Sequence, residues 1–203
     1  MNKTYFITGI STDVGKTIVS AIIAEHLKAH YWKPIQAGDL ENSDSIKVNR
    51  LTENVTVLPE AFRLNTPQSP HAAAKVDGVE IPDFIPFPKI QGNLIIEGAG
   101  GLLVPFNSKG TVLADLVKQW EIPVILVSMH YLGSINHTLL TLEVLKNRGI
   151  EVKGIVFVGD ENKETESIIA LKSGVTILRR IPLTEEISKD FVLEQAAIFK
   201  SFQ

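Results

Sequence analysis

The sequence predicts a three-layer α/β fold, in which a mostly parallel sheet is covered by helices on both faces. Short apolar runs rich in β-branched residues are continuous rather than alternating, as expected for strands buried on both faces. These runs are residues 5–8, 93–96, 124–128, 152–158 and 175–178. Helical segments lie between them, at residues 16–29, 112–120, 135–148 and 163–172. Strands that alternate with helices are typical of a parallel sheet.

Size and composition narrow the class of protein. A chain of 203 residues with 44% hydrophobic side chains can bury one substantial core, so we expect one domain spanning residues 1–203. The net charge of −3 at pH 7 and the lack of a basic patch argue against binding to nucleic acid or to an anionic membrane. Cysteine is absent, which excludes a disulfide scaffold, a thiolate metal site and a cysteine nucleophile.

Two further segments bear on location and on the site. The apolar run at residues 5–9 is too short for a secretory signal, and no apolar stretch approaches the roughly 18 residues of a membrane span, so we expect a cytoplasmic protein. Residues 58–89 are rich in proline and poor in periodicity, so we expect an irregular segment that frames a substrate site.

The strongest functional signal follows the first strand, where residues 9–17 read GISTDVGKT and a helix comes next. A phosphate-binding loop (P-loop) needs backbone N–H groups, a helix N-terminus, a lysine and a hydroxyl for Mg²⁺. Gly15, Lys16 and Thr17 supply these parts. The first glycine is one residue too far from Gly15 for the general pattern, so Ile10 stands where glycine is expected. The strand–loop–helix order nevertheless favours nucleotide binding over a chance glycine turn.

This loop resembles the GTDTxVGKT loop of dethiobiotin synthetases, a family of P-loop enzymes. It has the same length, and the two share Gly9, Thr12, Val14, Gly15, Lys16 and Thr17. Ser11 and Asp13 depart from the family, which often has aspartate and glutamate there, although Asp13 keeps the charge. The resemblance implies substrate binding by Thr12 and ATP binding by Asp13, Val14, Gly15, Lys16, Thr17 and Ile18.

Two blocks after the second strand extend the resemblance. Residues 33–38, KPIQAG, match a KP-x-x-[ST]-G segment, which implies that Lys33 carries the substrate chemistry and that Ala37 lies in the substrate site, where the family commonly has a hydroxyl. Taken alone, Lys33 would more often be a surface lysine. Residues 42–44, NSD, resemble an S-D segment whose aspartate, Asp44 here, holds magnesium with the nucleotide. Alternatively, Ser43 and Asp44 simply cap a helix over residues 46–51.

A fourth block, residues 95–101, reads IIEGAGG and resembles the EGAGG segment of the family. It predicts an acidic residue at the end of a buried strand, followed by a glycine-rich turn that lets a ligand approach the backbone. The alternative is an ordinary glycine turn. The resemblance implies that Glu97, Gly98, Ala99 and Gly100 contact ATP, and that Thr17, Asp44 and Glu97 offer oxygen ligands to Mg²⁺, which keeps several waters.

A fifth block, residues 132–138, reads LGSINHT and is similar to the family's LG-[CTS]-INH segment at a helix start. The resemblance implies that Gly133 and Asn136 bind the substrate carboxylate, a role that suits the unpaired N–H groups and dipole of a helix N-terminus. The alternative is that Ser134 or Asn136 only caps the helix. Because this site draws on a dimer interface in the family, we expect a homodimer.

The match weakens after residue 158. The family often has an Asn-Asp pair for the adenine where this chain has Gly159 and Asp160, so the sequence does not fix the base preference. An I-P segment of the family is present as Ile181 and Pro182, which implies that these two residues lie beside the ATP.

The resemblance implies a Mg²⁺- and ATP-dependent ligase. It would close a cyclic urea from 7,8-diaminopelargonic acid and CO₂ (or bicarbonate), a step of biotin biosynthesis, with Lys33 and Lys16 stabilising the charge that develops. The main alternative is a nucleotide-switched adaptor like the septum-placing and partitioning ATPases, which carry a signature lysine where this chain has Ser11. An amidoligase of cobyric acid synthesis is less favoured, because such proteins usually append a glutaminase domain.

Overall fold

The computed structural model describes residues 2–199 and contains two parallel sheets. The strands are β1 (Thr4–Gly9), β2 (His30–Trp32), β3 (Ile35–Ala37), β4 (Thr56–Val57), β5 (Phe62–Leu64), β6 (Leu94–Gly101), β7 (Val124–Met129), β8 (Val152–Val158) and β9 (Ile177–Ile181). Seven of them form the main sheet, in the order β4-β2-β6-β1-β7-β8-β9. The other two, β3 and β5, pair with each other. All these strand pairings are parallel, as the sequence predicted.

Helices cover both faces of the main sheet. They are α1 (Lys16–Leu27), α2 (Asp44–Leu51), α3 (Pro70–Asp77), α4 (Leu113–Trp120), α5 (Ser134–Asn147), α6 (Lys163–Ser173) and α7 (Lys189–Ala197). None of these helices within residues 2–199 combines the length and the apolar character needed to cross a membrane.

Neighbouring residues of β6 show how the three layers are held together. Ile95 packs into one buried cluster with residues of α1, α2 and α7, whereas Ile96 packs into a second cluster with residues of α3, α4 and α5. Successive side chains of a strand point to opposite faces, so a strand buried on both faces is apolar at every position. A third cluster joins α5 and α6 to β7 and β8. The predicted three-layer α/β fold is therefore confirmed.

Two elements lie in the segment that was predicted to be irregular, residues 58–89. The prediction was wrong for β5 and for α3. Helix α3 begins with Pro70 in its first turn, after Ser69 at the N-cap. Proline is favoured there, since its missing N–H would have no intrahelical partner. The prolines that suggested a loop therefore include one that starts a helix.

The predicted end of β6 was also wrong, because the strand continues through the glycines to Gly101, which pairs with Gly9 of β1. A Cβ atom on Gly98 would come within 2.7 Å of the Phe6 ring. Glycine is therefore needed inside the strand for packing against β1. Strand β9 lies two residues later than predicted at its start and contains Arg179 and Arg180. The two arginines point to opposite faces of this edge strand, and both are half-buried.

The topology brings three segments to one edge of the main sheet. Strand β6 lies between β2 and β1, and all three run in parallel, so their carboxyl ends lie side by side. Lys33 follows β2, Glu97 lies within β6, and the loop at residues 10–15 follows β1. Ligands of open α/β sheets bind at this edge.

Candidate active site

The loop between β1 and α1 has the backbone expected of an anion-binding turn. Asp13 has a φ of 53°, and Gly15, the N-cap of α1, has a φ of 90°. Turns that include left-handed residues form concave groups of backbone N–H that bind anions, and here the helix N-terminus adds its dipole. The loop is anchored to the sheet, since the Ile10 N–H donates to the Val127 carbonyl at 3.1 Å. This geometry suits a phosphate group.

Lys16 opens α1 and is largely buried, with its Nζ donating to the Ser11 carbonyl at 2.9 Å. Burial lowers the pKa of Lys16, and the nearby Lys33 lowers it further, while Glu97 and other carboxylates act in the opposite direction. A phosphate beside Lys16 would favour its charged form.

Lys33 lies between two carboxylates. Only 5% of its surface is exposed, and its Nζ forms ion pairs with Asp44 and with Glu97 Oε1, the latter at 3.2 Å. Burial acts to lower the pKa of Lys33, but the two carboxylates outweigh burial and raise that pKa above its ordinary value. Lys33 is therefore a buried cation, and the alternative of a surface lysine is wrong.

The start of α2 combines the two roles considered for residues 42–44, which are helix capping and a charged residue of the site. Ser43 is the N-cap, and its Oγ accepts a hydrogen bond from the Ile46 N–H at 3.3 Å. Asp44, the first residue of α2, instead contacts Lys33 and lies 3.8 Å from Lys47 Nζ. Burial acts to raise the pKa of Asp44, but Lys33 outweighs it and the pKa is lowered. Ser43 therefore caps the helix, and the neighbouring Asp44 belongs to the charged site.

Glu97 is the most deeply buried carboxylate of the site, with 1% of its surface exposed. The Thr17 hydroxyl donates to its Oε1 at 2.8 Å, and the Tyr31 hydroxyl donates to its Oε2 at 2.8 Å. Sequence reasoning missed Tyr31. The available signal was its position two residues before Lys33, which places both residues on one side of the β2 strand and its extension.

A polar cavity of about 360 Å³ lies among these groups. It is lined by Thr12, Asp13, Gly15, Lys16, Thr17, Ile18, Lys33, Asp44, Lys47, Glu97 and Gly100. Lys47 is a third lysine of the cavity that sequence reasoning missed, and it forms an ion pair with Asp39 at 3.0 Å. Lys47 lies one helical turn after Asp44, and that spacing was the signal available in the sequence.

Two further cavities adjoin the polar one. A slot of about 150 Å³ shares Asp13, Gly15 and Ile18 with it, and is otherwise lined mainly by apolar residues that include Ile181 and Pro182. A larger cavity of about 490 Å³ is bounded by the start of the loop after β1, by residues 100–104 and by α5. The larger cavity shares Thr12 and Gly100 with the polar cavity.

Within the described part of the chain, several residues that the sequence indicated as site residues do not line any of these three cavities. Val14 is buried in the core, and Ala37 is half-buried in β3. Gly98 and Ala99 continue β6. Gly133 is the N-cap of α5 with a φ of 104°, and no side chain caps that helix, so the alternative that Ser134 or Asn136 caps it is wrong. Gly133 and Asn136 are both exposed.

The oxygen ligands around Glu97 fit a magnesium ion. Thr17, Asp44 and Glu97 all present oxygen, and the two carboxylates already share one cation, the ammonium of Lys33. Within residues 2–199, no group of three His, Cys, Asp or Glu side chains forms a metal cluster. Mg²⁺ does not need one, since it is usually bound by one or two carboxylates together with phosphate and water oxygens.

Comparison with known proteins identifies relatives along nearly the whole chain. The family model of an AAA domain matches residues 3–190. The chain is 54% identical to the ATP-dependent dethiobiotin synthetase BioD of Christiangramia forsetii, over 98% of this chain and 97% of that protein. It is 52% identical to the protein of the same name from Cytophaga hutchinsonii, over 96% of this chain and 95% of that protein.

Solved structures of similar shape come from more distant proteins. A ParA family ATPase from Chlorobium tepidum has a TM-score of 0.57 at 12% identity, over 98% of this chain and 99% of that one. The cell division ATPase MinD of Pyrococcus furiosus has a TM-score of 0.58 at 16% identity, over 98% of this chain and 92% of that one. At these identities the likeness concerns the fold alone, and it does not favour the adaptor function.

A double-mutant cycle on Lys33 and Asp44 should give a coupling free energy of about 0.5–3 kcal/mol at neutral pH, because the two side chains meet in a buried network. Folding raises the pKa of Lys33 and lowers that of Asp44. The coupling is therefore full between the unfolded-state pKa values, about 4 for aspartate and about 10 for lysine. It is lost as the pH falls through the lowered pKa of Asp44 or rises through the raised pKa of Lys33.

The measurement is urea unfolding of the wild type, Lys33→Met, Asp44→Asn and the double variant, first at about pH 7 and then at stepwise lower pH, where the coupling should decline as Asp44 becomes protonated. The matched control is the exposed Lys109–Asp83 pair, whose atoms lie 2.7 Å apart. Its coupling should be much smaller, because solvent screens exposed pairs. Equal coupling in the two pairs would contradict the interpretation of Lys33 as a buried, doubly paired cation.

Proposed function

Because the chain belongs to the family of ATP-dependent dethiobiotin synthetases, we propose that it is a ligase of biotin biosynthesis that makes dethiobiotin. It would close the cyclic urea from 7,8-diaminopelargonic acid and CO₂ at the expense of ATP. The observation that carries this proposal is the placement of a buried lysine, Lys33, in the same cavity as the P-loop lysine, Lys16. The two cations can act on one reacting centre.

The nucleotide would lie across the polar cavity and the apolar slot. The amide groups of residues 13–18 and Lys16 would bind the phosphates, as the left-handed turn and the helix N-terminus favour. The base would occupy the slot beside Ile181 and Pro182, which adjoins the loop at Asp13 and Gly15. This arrangement supports the ATP-binding roles predicted for these residues.

Thr17, Asp44 and Glu97 would hold Mg²⁺ together with the nucleotide. When bound, the ion neutralises charge on the phosphate oxygens. Thr17 contributes its hydroxyl from the first turn of α1, and the two carboxylates come from α2 and β6. The contacts of Glu97 with Thr17 and of Lys33 with both carboxylates support this ligand set.

The reaction begins when one amine of the substrate attacks CO₂ and forms a carbamate. A carbamate oxygen then takes the γ-phosphoryl group of ATP, and ADP leaves. The second amine attacks the carbonyl carbon, the C–O bond to phosphate breaks, and the cyclic urea and phosphate are released. Lys33 and Lys16 would stabilise the negative charge on the carbamate and on the transferred phosphoryl group, which is the main way proteins accelerate such transfers.

The larger cavity would accommodate the aliphatic chain of the substrate. Its lining includes Leu102, Val104 and Val144, and it joins the polar cavity at Thr12, for which a substrate contact was predicted. An apolar wall suits methylene groups, whereas the charged ends need polar partners. The carboxylate would bind at Gly133 and Asn136, where α5 begins, and Ala37 would lie near the reacting end.

We further propose a homodimer, in which the second copy covers the start of α5. Large apolar side chains are exposed in the loop before α5 at Tyr131 and Leu132, and on α5 at Ile135 and Leu140. Leu103, which follows β6 and lines the larger cavity together with Leu140, is exposed as well. A cluster of exposed apolar side chains is typical of a protein interface. We also expect one domain over residues 1–203, acting in the cytoplasm on small molecules.

Incubation of the protein with Mg-ATP, bicarbonate and 7,8-diaminopelargonic acid should yield ADP, phosphate and the cyclic urea in equal amounts. The measurement is mass spectrometry of the product together with a coupled ADP assay. ADP release should depend on the diamine, because the carbamate is the phosphoryl acceptor. ADP formed at the same rate without the diamine would reject the ligase proposal and favour a nucleotide-switched ATPase.

Lys33→Ala should lower kcat by at least about 100-fold, because a buried cation at the reacting centre is lost. The affinity for ADP should change by less than about twofold, since Lys33 is assigned to the acceptor and not to nucleotide binding. Lys16→Ala should instead weaken ADP binding. Isothermal titration and steady-state kinetics measure both effects, with Lys172→Ala on the exposed side of α6 as control. Loss of ADP binding in Lys33→Ala would show that Lys33 is misassigned.

Leu132→Asp should shift the protein from dimer to monomer, because it places a charge on a side chain that is 104% exposed and lies in the proposed interface. Sedimentation velocity measures the change. The matched control is Leu171→Asp on α6, where a leucine is 79% exposed away from that surface. Sedimentation of the wild type as a monomer, or an equal shift in both variants, would reject the proposed interface.

A further inference from the structure

Tyr31 is the one donor to the inner oxygen of Glu97 among the hydrogen bonds formed by the described residues. Its side chain is fully buried, and its hydroxyl donates to Glu97 Oε2 at 2.8 Å. The other oxygen, Oε1, accepts from the Thr17 hydroxyl at 2.8 Å and from Lys33 Nζ at 3.2 Å. The carboxylate thus has an inner oxygen held from the core and an outer oxygen that faces the polar cavity.

The register of the sheet explains why Tyr31 reaches the inner oxygen of Glu97. In the parallel pairing of β2 with β6, Tyr31 lies opposite Ile95, and both side chains belong to the buried cluster under α1. Glu97 is two residues beyond Ile95, so its side chain lies on the same face of the sheet. A tyrosine ring is long enough to span this diagonal between neighbouring strands. The tyrosine therefore reaches the carboxylate from within the core.

We propose that Tyr31 is a positioning residue for phosphoryl transfer, which fixes the Glu97 carboxylate so that Oε1 faces Thr17 and the nucleotide-bound metal. The inference rests on the proposed function of the polar cavity. It assigns Tyr31 no contact with substrate, since Tyr31 does not line that cavity. Groups that orient a metal ligand in this way typically account for about 10–100-fold in metal affinity or activity.

The position of the Tyr31 hydroxyl suits this role, because it donates to the oxygen of Glu97 that Thr17 and Lys33 do not contact. Without that hydroxyl, Oε2 would be a buried acceptor with no partner, and the carboxylate could rotate towards the two donors of the cavity.

The test is metal binding by Tyr31→Phe, which keeps the ring and removes only the hydroxyl. The affinity of Mn²⁺, used as the probe in place of Mg²⁺, is measured by electron paramagnetic resonance in the presence of saturating ADP. We expect it to fall by about 10-fold or more. The affinity of ADP without metal should change by less than about twofold, because the loop at residues 10–15 is untouched.

The matched control is Tyr5→Phe, which removes a phenol hydroxyl from the same core cluster. Tyr5 and Tyr31 both pair with Ile95 of β6, but the carboxylate that raises the pKa of the Tyr5 hydroxyl is Glu151 and not Glu97. Both variants lose a tyrosine hydroxyl, so a general loss of stability would affect both. An unchanged Mn²⁺ affinity in Tyr31→Phe, or an equal fall in the two variants, would overturn the proposal. The measurement needs no turnover, so it decides the role of Tyr31 even if the wild type makes no dethiobiotin.

A second measurement, ¹⁹F nuclear magnetic resonance, observes Tyr31 in a protein that keeps this residue. The sequence contains Tyr at 3 positions, so protein labelled with 3-fluorotyrosine should give one ¹⁹F resonance for each. Tyr5→Phe and Tyr131→Phe assign the resonance of Tyr31 by elimination. That resonance should move when Mg²⁺ is added to the ADP complex, because its acceptor becomes a metal ligand. A Tyr31 resonance that does not respond to Mg²⁺ would also overturn the proposal.

Discussion

The site depends on the burial of the Lys33 ammonium between the carboxylates of Asp44 and Glu97. Removing a charge from water costs several kcal/mol unless a partner compensates it, so none of the three groups can be buried alone. The partners come from separate elements, the end of β2, the start of α2 and the middle of β6. Their alignment therefore requires the main sheet to be correctly assembled, and it links the stability of the fold to the geometry of the site.

Features formed by residues close together in the sequence could be predicted, whereas contacts between distant residues could not. The loop after β1 was predictable because its residues are contiguous in the sequence. The strands buried on both faces were predictable because each is a continuous apolar run. The hydrogen bond between Tyr31 and Glu97 joins residues 66 positions apart, and its one local signal is the two-residue spacing between Tyr31 and Lys33. Likewise α3 was missed because its proline was counted as a loop signal, although the same proline starts the helix.

The departures from the family pattern also have structural explanations. Lys16 is held by the backbone carbonyl of Ser11, so that contact is independent of the side chain at position 11. Ala37 packs against the apolar cluster beside β3, where a small apolar side chain fits. Gly159 has a φ of 129°, its N–H donates to the Ile181 carbonyl, and a Cβ there would lie 3.3 Å from the His130 ring. Glycine fits this backbone better than any side chain.

The fold itself does not distinguish a ligase from a nucleotide switch, because proteins of both kinds place a phosphate loop after the first strand of a parallel sheet. The distinction lies in what surrounds the loop. Here the position five residues before the P-loop lysine is occupied by Ser11, whose carbonyl accepts from Lys16. Lys33, the residue that follows the second strand, supplies the additional cation from within the core. A buried cation that the chain itself supplies, paired with the buried Glu97 and the half-buried Asp44, is available in every catalytic cycle. This suits an enzyme whose acceptor is a small anion rather than a partner protein.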